Sequence, residues 1–406
     1  MPARLVGAVA LALRVFGPST GVVEASQTPA LDGEYGLVVA NADDSVVVRW
    51  ITPAGGPGFL QASVGTRVVH QERTPKAVAH RAAFRRPPGK LLTLIYGDAR
   101  GARLDTTVVS LERPRRPPET IREVDSVFVV SDVHGQFTSL TRTLSHARVL
   151  DSVLRWTGGR AHLVVVGDVF DRGPDATRVW WLLYRLEREA RTAGGAVDVV
   201  LGNHEIMILA GDTTYLSDKE AMLARHYGTC YACLYDIRTS VLGQWLASKP
   251  AVLKINDAVF VHGGVTPVFA SLGIGRLNDA VYDYLREPIF RHLVTDSAAA
   301  ARFGADRYQQ RLAFFFHPES PLWFRGYVQA DTLAPQLDSV LGQYDAAVHV
   351  VGHTPVRAIA PRYGGKLIPV NVVDFATELL LLTYSSEGRR RAYRVDSEGK
   401  VSELRP

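Results

Sequence analysis

Five short apolar segments of this 406-residue chain each run into a polar residue that can bind a metal ion. The segments are 126–130, 162–166, 197–201, 258–261 and 348–351, and the residues at or just past their ends are Asp132, Asp168, Asn203, His262 and His353. Short β-branched runs bounded by glycine are typical of buried strands. Open α/β sheets bind their ligands beyond the carboxyl ends of such strands. The pattern therefore predicts an α/β fold in which distant parts of the chain meet at one sheet edge.

The residues at these strand ends have the ligand chemistry of a site for two divalent cations. Carboxylate, imidazole and amide oxygen are hard or borderline donors, suited to Mn, Fe, Zn or Mg. The spacing of Asp132 and His134 lets both bind one ion, and Asp168 can bridge two ions through its two oxygens. The second metal site is predicted to be completed by Asn203, His262 and His353. Two ions roughly 3.5 to 4 Å apart would hold a bridging hydroxide near neutral pH for in-line attack on phosphorus.

Four further residues are candidates for catalysis. His204 is the candidate general acid, because its neighbour Asn203 is assigned to a metal and adjacent side chains diverge. Asp171 would orient His204 and keep its proton in place. Arg172 and Arg325 would bind the phosphate oxygens, for which the planar guanidinium is suited. Simpler alternatives stay open: Asp171 and Arg172 as a surface ion pair, and Arg325 as a packing residue.

The motifs resemble those of the calcineurin-like metallophosphoesterases, and within them of the phosphoprotein phosphatase (PPP) superfamily. The residues that carry the resemblance are Asp132–Gly135, Gly167–Gly173, Gly202–Glu205, His262–Gly264, Arg325–Gly326 and Gly352–Thr354. The stretch 317–327 is most similar to the Shewanella-like phosphatases, and the resemblance covers about residues 124–385. Ser131, Phe170 and Thr354 depart from the usual residues of the superfamily without removing a ligand.

The resemblance implies a metallophosphoesterase α/β sandwich with helical cap insertions, which we expect in residues 206–250 and 275–320. It also implies a metal-dependent phosphoric ester hydrolase with two divalent ions, manganese being favoured. The main hypothesis is a two-metal phosphomonoesterase, a phosphoprotein phosphatase, with phosphorylated protein or a small phosphoester as substrate. The alternatives are a dinucleoside polyphosphate hydrolase of the same superfamily and a non-catalytic metal-containing binding protein.

The charge pattern does not favour nucleic acid as a partner. The net charge is +5, and the basic runs 113–116 and 389–391 are short and lack interleaved aromatic residues. Such runs are usually solvated faces or linkers. No nucleic-acid binding is therefore expected, and we make no prediction of the oligomeric state.

Residues 31–112 differ from the rest of the chain. Several short alternating or apolar runs are separated by turn signals, which predicts a small all-β sandwich. The segment 48–53 is similar to the fibronectin-III-like domain that precedes the catalytic domain of purple acid phosphatases. Residues 113–119, with three prolines, are the predicted linker, and 120–406 the predicted catalytic domain. Within the latter, apolar spacing predicts helices over 136–150 and 175–193, with Asp175 as the N-cap of the second.

The N-terminus has features of an export signal. An apolar run over 5–13 follows Arg4, and small residues near position 25 offer a cleavage site, so residues 1–25 are a candidate signal peptide. Export to the periplasm or the medium is therefore favoured over a cytoplasmic location. The run is too short to span a bilayer, and no membrane span is predicted. For Cys230 and Cys233, two free thiols, a local disulfide and a redox pair all stay open.

Overall fold

The computed structural model describes residues 36–100, 104–296 and 298–405, which belong to one compact unit. The candidate signal peptide, residues 1–25, lies outside the described residues. Within the ranges just given, none of the helices combines the length and apolar composition that crossing a bilayer requires.

An all-β region comes first. Its strands are β1 (Val38–Asn41), β2 (Ser45–Ile51), β3 (Pro57–Val64), β4 (Arg67–Lys76), β5 (Ala79–Arg85), β6 (Leu91–Asp98) and β7 (Leu104–Ser110). They form two antiparallel sheets, with strand orders β1-β2-β5 and β4-β3-β6-β7. Alternate residues of β2, among them Val46, Val48 and Trp50, are completely buried between these sheets. The predicted all-β region is therefore present, with β7 as a strand that the sequence pattern did not indicate.

The β region packs closely against the part of the chain that follows it. The Trp181 indole N–H donates to the carbonyl of Leu37 at 2.8 Å. The backbone N–H of Ser110 donates to the Tyr184 hydroxyl at 2.9 Å. Buried apolar residues of the two regions form one continuous cluster. The limits assigned to the β domain, the linker and the catalytic domain stay a prediction.

Two sheets form the centre of the second region. Its strands are β8 (Thr120–Ile121), β9 (Ser126–Val130), β10 (His162–Val166), β11 (Ala196–Val200), β12 (Val252–Ile255), β13 (Ala258–Val261), β14 (Val348–Val351), β15 (Leu367–Pro369), β16 (Glu378–Tyr384), β17 (Arg390–Asp396) and β18 (Val401–Leu404). The strand orders are β11-β10-β9-β16-β17-β18 and β15-β14-β13-β12-β8. Strands β9, β10 and β11 run parallel in the first sheet, as do β13, β14 and β15 in the second.

The two sheets pack face to face. Val164 and Val166 of the first sheet belong to the same buried cluster as Phe260 and Val350 of the second. Since the outer faces are covered as well, the central strands are apolar on both sides, which explains their continuous hydrophobic runs. The predicted α/β sandwich is confirmed. The expectation of one common sheet edge needs correction, because β9, β10 and β11 lie in one sheet while β13 and β14 lie in the other.

Helices cover the outer faces and the inserted segments. They are α1 (Phe137–His146), α2 (Ala176–Thr192), α3 (Asn203–Ala210), α4 (Asp218–His226), α5 (Val241–Leu246), α6 (Pro267–Ala270), α7 (Ile274–Arg286), α8 (Ala299–Phe303), α9 (Ala305–Phe316), α10 (Gly326–Gln329) and α11 (Ala334–Gln343). Short 3-10 helices span Ala232–Tyr235 and Phe290–His292. Leu140 of α1 and Val179 of α2 pack with Leu163 and Val165 on the outside of the first sheet. Leu337 of α11 packs with the second sheet.

Two local expectations are resolved by the side-chain contacts. Asp175 stands at the N-cap position of α2, but its carboxylate makes no capping hydrogen bond and instead accepts from Lys219 Nζ at 2.7 Å. The Asp175 carboxylate thus forms an ion pair with Lys219 of α4 in place of a hydrogen bond to the first turn of α2. Cys230 and Cys233 form a disulfide, with an S–S distance of 2.00 Å.

His349 in β14 is a buried core residue and yields a stability prediction. The backbone N–H of Val265 donates to its Nε2, while Nδ1 donates to the carbonyl of Val259, and burial lowers the pKa of His349 to about 4. The unfolded chain takes up this proton first, so the free energy of unfolding should fall as the pH decreases from about 6.5 towards 4. Between pH 7 and pH 5, protonation of His349 in the unfolded chain should lower the free energy of unfolding by roughly 2 kcal/mol.

Urea unfolding of the wild-type chain and of His349→Gln at both pH values measures this effect. The variant should lose less stability on acidification than the wild type, by the amount just given. Equal losses in the two proteins would show that His349 is not held neutral in the fold.

Candidate metal centre

The predicted metal ligands lie at the carboxyl ends of their strands. Asp132 stands two residues after β9, Asp168 two after β10, and His353 two after β14, while His262 directly follows β13 and Asn203 begins α3. A cavity of about 240 Å³ opens at this end of the sandwich. The candidate site residues that line it are Asp132, His134, Asp168, Arg172, Asn203, His204, Arg325 and His353. Asp171 and His262 are buried beside them and contact residues of that lining.

Two groups of potential ligand atoms meet at Asp168. His134, Asp168 and His204 form one group and Asp168, His262 and His353 the other, with the donor atoms of each group within 4.8 Å of one another. Asn203 joins the second group, since its Oδ1 lies 2.9 Å from His262 Nε2. Nε2 of His353 is buried and has no hydrogen-bond partner among the described residues. A buried imidazole nitrogen without a partner, beside a carboxylate shared by two groups, fits a site built for hard divalent ions.

Backbone carbonyls orient two of the imidazoles. His134 donates from Nδ1 to the carbonyl of Phe170, and His262 donates from Nδ1 to the carbonyl of Val166, both at 2.8 Å. A histidine that ligates a metal through one nitrogen commonly donates from the other in this way. Burial lowers the pKa of His134 to about 3, so this ring is neutral. For His262, burial opposes the charged form but the negative charge of Asp168 prevails and raises the pKa to about 9.

Asp132 belongs to neither group of three potential ligands. Its Oδ2 accepts from Ser131 Oγ at 2.5 Å and from the backbone N–H of His353 at 3.0 Å. Its Oδ1 accepts from Asn371 Nδ2 at 2.7 Å. Burial raises the pKa of Asp132 to about 6. The carboxylate nevertheless lines the same cavity, so its assignment to the first metal remains a prediction.

His204 and Asp171 form a short, buried pair. His204 Nδ1 lies 2.6 Å from Asp171 Oδ2, and His204 Nε2 lies 3.9 Å from Asp168 Oδ2. Burial disfavours the charged ring, but the charge of Asp168 and the hydrogen bond to Asp171 raise the pKa of His204 above its ordinary value. The raised pKa favours a proton on Nε2, the nitrogen nearer to Asp168. In this position His204 is sited both to donate that proton and, after losing it, to join the His134 group.

The two arginines stand at the rim of the cavity. Arg172 is exposed, and its guanidinium carbon lies 6.0 Å from the ring centres of both Tyr215 and Phe375. Within the described ranges its guanidinium has no ion-pair partner, and Asp171 binds His204 instead. Arg325 is half-buried and donates to the carbonyl of His353 at 2.9 Å, which leaves further donors unused.

Left-handed backbone conformations concentrate at these residues. The φ angles are 48° at Asp132, 44° at His134, 57° at Asp168, 68° at Asp171, 64° at Arg172 and 60° at His353. Such angles are uncommon outside glycine and cost about 1–3 kcal/mol each. The surrounding packing must hold these side chains in place, as is typical of a functional site.

Two glycines allow the loops to approach the carboxylates. A Cβ at Gly202 would lie 2.3 Å from Asp168 Oδ1, and a Cβ at Gly352 would lie 2.0 Å from Ser131 Oγ and 2.7 Å from Asp132 Oδ2. Neither position has room for a side chain. Both glycines belong to motifs that also carry a candidate ligand.

A family model described as calcineurin-like phosphoesterase matches residues 126–357, which is more than half of the chain. The chain belongs to this family. The predicted family and the predicted enzyme class, a metal-dependent phosphoric ester hydrolase, are thereby confirmed, and family membership implies divalent metal ions.

Relatives within the family include two Shewanella-like phosphatases. Shewanella-like protein phosphatase 1 of Plasmodium berghei is 26% identical over 245 residues, which cover 58% of this chain and 63% of the relative. Shewanella-like protein phosphatase 2 of Arabidopsis thaliana is 27% identical over 202 residues, which cover 40% and 52%. The match thus spans between half and two-thirds of the length of these curated relatives.

A solved structure matches over a longer range. It is that of the cold-active protein-tyrosine phosphatase of a psychrophilic Shewanella species, with a TM-score of 0.70 and 26% sequence identity. The match covers 91% of this chain and 98% of that one. The likeness therefore extends beyond the segment that the family model covers.

Glu205 holds together two loops of the site, a role that the sequence analysis did not predict. It is completely buried, and its Oε2 accepts from the backbone N–H groups of Gly202 and Asp168 at 2.8 Å each. Its Oε1 accepts from Val169 at 2.9 Å and from Phe170 at 3.3 Å. One carboxylate thus joins the loop after β10 to the start of α3, and both segments carry candidate ligands. The signal was available, since Glu205 stands at the third position of a helix that begins at a ligand.

Proposed function

We propose that this chain is a two-metal phosphomonoesterase that acts on phosphorylated protein, with phosphotyrosine as the preferred residue. The observation that carries the proposal is the His204–Asp171 pair, in which Asp171 holds Nδ1 and His204 lines the cavity where the candidate metal ligands and two arginines meet. The names of the relatives, which are phosphatases, agree with it.

The candidate ligands would hold two divalent ions, one at each group that contains Asp168. When bound, such ions supply an activated water as the nucleophile and neutralise negative charge on the phosphate. Arg172 and Arg325 would bind phosphate oxygens from the rim of the cavity, each with guanidinium donors that the fold leaves unused. Charged donors fixed in a partly buried site stabilise the extra charge of the transition state.

His204 would give its Nε2 proton to the leaving oxygen. Asp171 accepts from Nδ1, which fixes the ring plane and stabilises the protonated form. Both side chains are buried, so water does not compete for either partner. The arrangement makes His204 the general acid and Asp171 its positioning partner.

The walls of the cavity favour an aromatic leaving group. Tyr215, Trp323 and Phe375 line it together with the arginines. Aromatic rings pack well against the phenyl ring of phosphotyrosine. The short side chain of phosphoserine has no ring to pack against these walls. The similar Shewanella protein is a protein-tyrosine phosphatase, which supports the same preference.

A substrate panel tests the proposal. Enzyme loaded with Mn²⁺ is assayed on a phosphotyrosine peptide, a phosphoserine peptide of the same sequence and a dinucleoside polyphosphate. We expect the highest kcat/KM on the phosphotyrosine peptide. Preference for the dinucleoside polyphosphate would establish the alternative hydrolase, and protein that holds two metals yet hydrolyses nothing would be a binding protein.

Tyr215 offers a test of the aromatic wall. Its side chain is 52% exposed, so its removal should leave the fold intact. An aromatic contact contributes about 0.5–1.5 kcal/mol, so Tyr215→Ala should raise KM for the phosphotyrosine peptide by up to about tenfold. The phosphoserine peptide should be affected less. Tyr215→Phe keeps the ring and serves as the control, and an equal rise in KM on both peptides would contradict the role.

A further inference from the structure

Asn371 follows its strand as the candidate metal ligands follow theirs. Pro369 at the end of β15 pairs with Val351 at the end of β14. Asn371 lies two residues past β15, and its side chain and the backbone of His353 both donate to the Asp132 carboxylate. The backbone on either side of Asn371 is fixed by hydrogen bonds, from Val370 N–H to the carbonyl of Val351 and from Val356 N–H to the carbonyl of Asn371, both at 2.8 Å. The topology that collects the other donors therefore delivers this one too.

The side chain of Asn371 is buried and only partly satisfied. The residue is 2% exposed and lines the cavity of the metal centre. Its Nδ2 donates to Asp132 Oδ1 at 2.7 Å. Its Oδ1 is buried and has no hydrogen-bond partner within the described part of the chain. The reverse orientation of the amide would place two oxygens against each other, so the neighbouring carboxylate fixes which atom remains unpartnered.

The hydrogen bonds around Asp132 also have a consequence for metal binding. Oδ2 accepts two hydrogen bonds, from Ser131 and from the backbone of His353, which occupy both of its lone pairs. Oδ1 accepts one, from Asn371, and retains one lone pair. Asn371 therefore determines in which direction Asp132 can offer an electron pair.

We propose that Asn371 is a ligand residue of the first metal site: its Nδ2 orients Asp132, and its Oδ1 supplies a further oxygen donor to the ion. This inference rests on the proposed function, because it requires that the site binds two metal ions. It accounts for a buried amide oxygen without a partner, which costs free energy unless something binds it. It also accounts for the position of Asp132 outside the His134 group, since Asp132 and Asn371 together provide an oxygen-rich side of that site.

Metal titration of Asn371→Ala tests the proposal independently of activity. Mn²⁺ is titrated into the metal-free full-length chain by calorimetry, and the bound metal is counted after dialysis. We expect one ion to bind as in the wild type and the other to bind about 10–100-fold more weakly. The matched control is Asn278→Ala, which removes a buried asparagine that bonds the backbone of Ala251 and Val252 away from the site. It should bind both ions with wild-type affinity.

A second variant separates ligation from packing. Asn371→Asp keeps an oxygen at the position of Oδ1 but loses the N–H group that donates a hydrogen bond to Asp132. We expect it to bind two ions more tightly than Asn371→Ala does. Weaker binding than in Asn371→Ala, or wild-type binding in Asn371→Ala, would overturn the proposal.

Wild-type protein distinguishes this inference from the proposed function. If the wild type binds two ions and both Asn371 variants bind them equally well, only the role of Asn371 is wrong. If the wild type binds no ion, the two-metal site itself is wrong and this inference is overturned with it.

Discussion

Asp168→Asn is expected to remove both metal ions and to lower kcat/KM on a phosphomonoester by about a thousandfold or more, because bound ions supply several kcal/mol of transition-state stabilisation. Asp168 belongs to both groups of potential ligands. Its Oδ2 lies 3.1 Å from His262 Nε2 and 3.9 Å from His134 Nε2. The amide has no negative charge and only one oxygen, so it cannot serve two ions. Metal analysis after dialysis and steady-state assays with para-nitrophenyl phosphate measure the two effects.

The chain offers a matched control for this substitution. Asp198 in the middle of β11 forms a pair at 2.8 Å with His162, which begins β10 at the opposite end of that strand from the metal centre. Asp198→Asn removes a similar carboxylate from a similar partner and should retain both ions and full activity. Two ions and wild-type kcat/KM in Asp168→Asn would rule out the bridging role.

His204→Asn is expected to lower kcat by about 10²–10⁴-fold on substrates with poor leaving groups, the range typical of a lost general acid. The loss should be smallest on para-nitrophenyl phosphate, whose leaving group needs little protonation. Metal content should not change. A plot of log kcat against the pKa of the leaving group, for the wild type and the variant, measures the difference in slope.

The structure makes this experiment more informative than the sequence alone did, because His204 also lies within reach of the His134 group. Loss of a metal ion in His204→Asn would show that His204 is a ligand and not the acid. Equal losses on good and poor leaving groups, with both ions retained, would remove it from either role. His162→Asn, which breaks the partly buried pair with Asp198, is the control and should behave as wild type.

The central strands were predictable because the fold covers both of their faces. Four of the predicted segments, 126–130, 162–166, 258–261 and 348–351, agree with β9, β10, β13 and β14 at both ends. A strand that is buried on both sides must be apolar throughout, and glycine or a polar residue marks its end. The same physical constraint places the candidate ligands, so the prediction of their positions followed from the prediction of the strands.

The contacts around the ligands were not predictable in the same way. Ser131 and Asn371 come from segments more than two hundred residues apart, yet both donate to Asp132. Nothing in the local sequence of either residue indicates the other. Asn371 does follow the apolar run of β15, but that strand is short and ends in a proline, which weakened the signal. Tertiary packing alone decides such partners.

The local sequence pattern also could not predict how the strands divide between two sheets. A parallel strand has the same apolar composition in either sheet, and both sheets combine parallel with antiparallel pairs, so strand direction does not separate them either. In the all-β region, β7 was missed because its polar residues, Asp105, Thr106 and Thr107, obscure the alternation. Only Val109 of this strand is fully buried, so the strand lacks the run of buried apolar residues on which the prediction relied.

The most direct test of the account is anomalous X-ray diffraction from crystals of the Mn²⁺-loaded protein, recorded at the manganese edge. Two peaks are predicted inside the cavity, both adjacent to the Asp168 carboxylate, one beside His134 and the other beside His262 and His353. A map without peaks there, or with manganese only at sites remote from Asp168, would contradict the central claim that strands of both sheets deliver their ligands to one pair of ions.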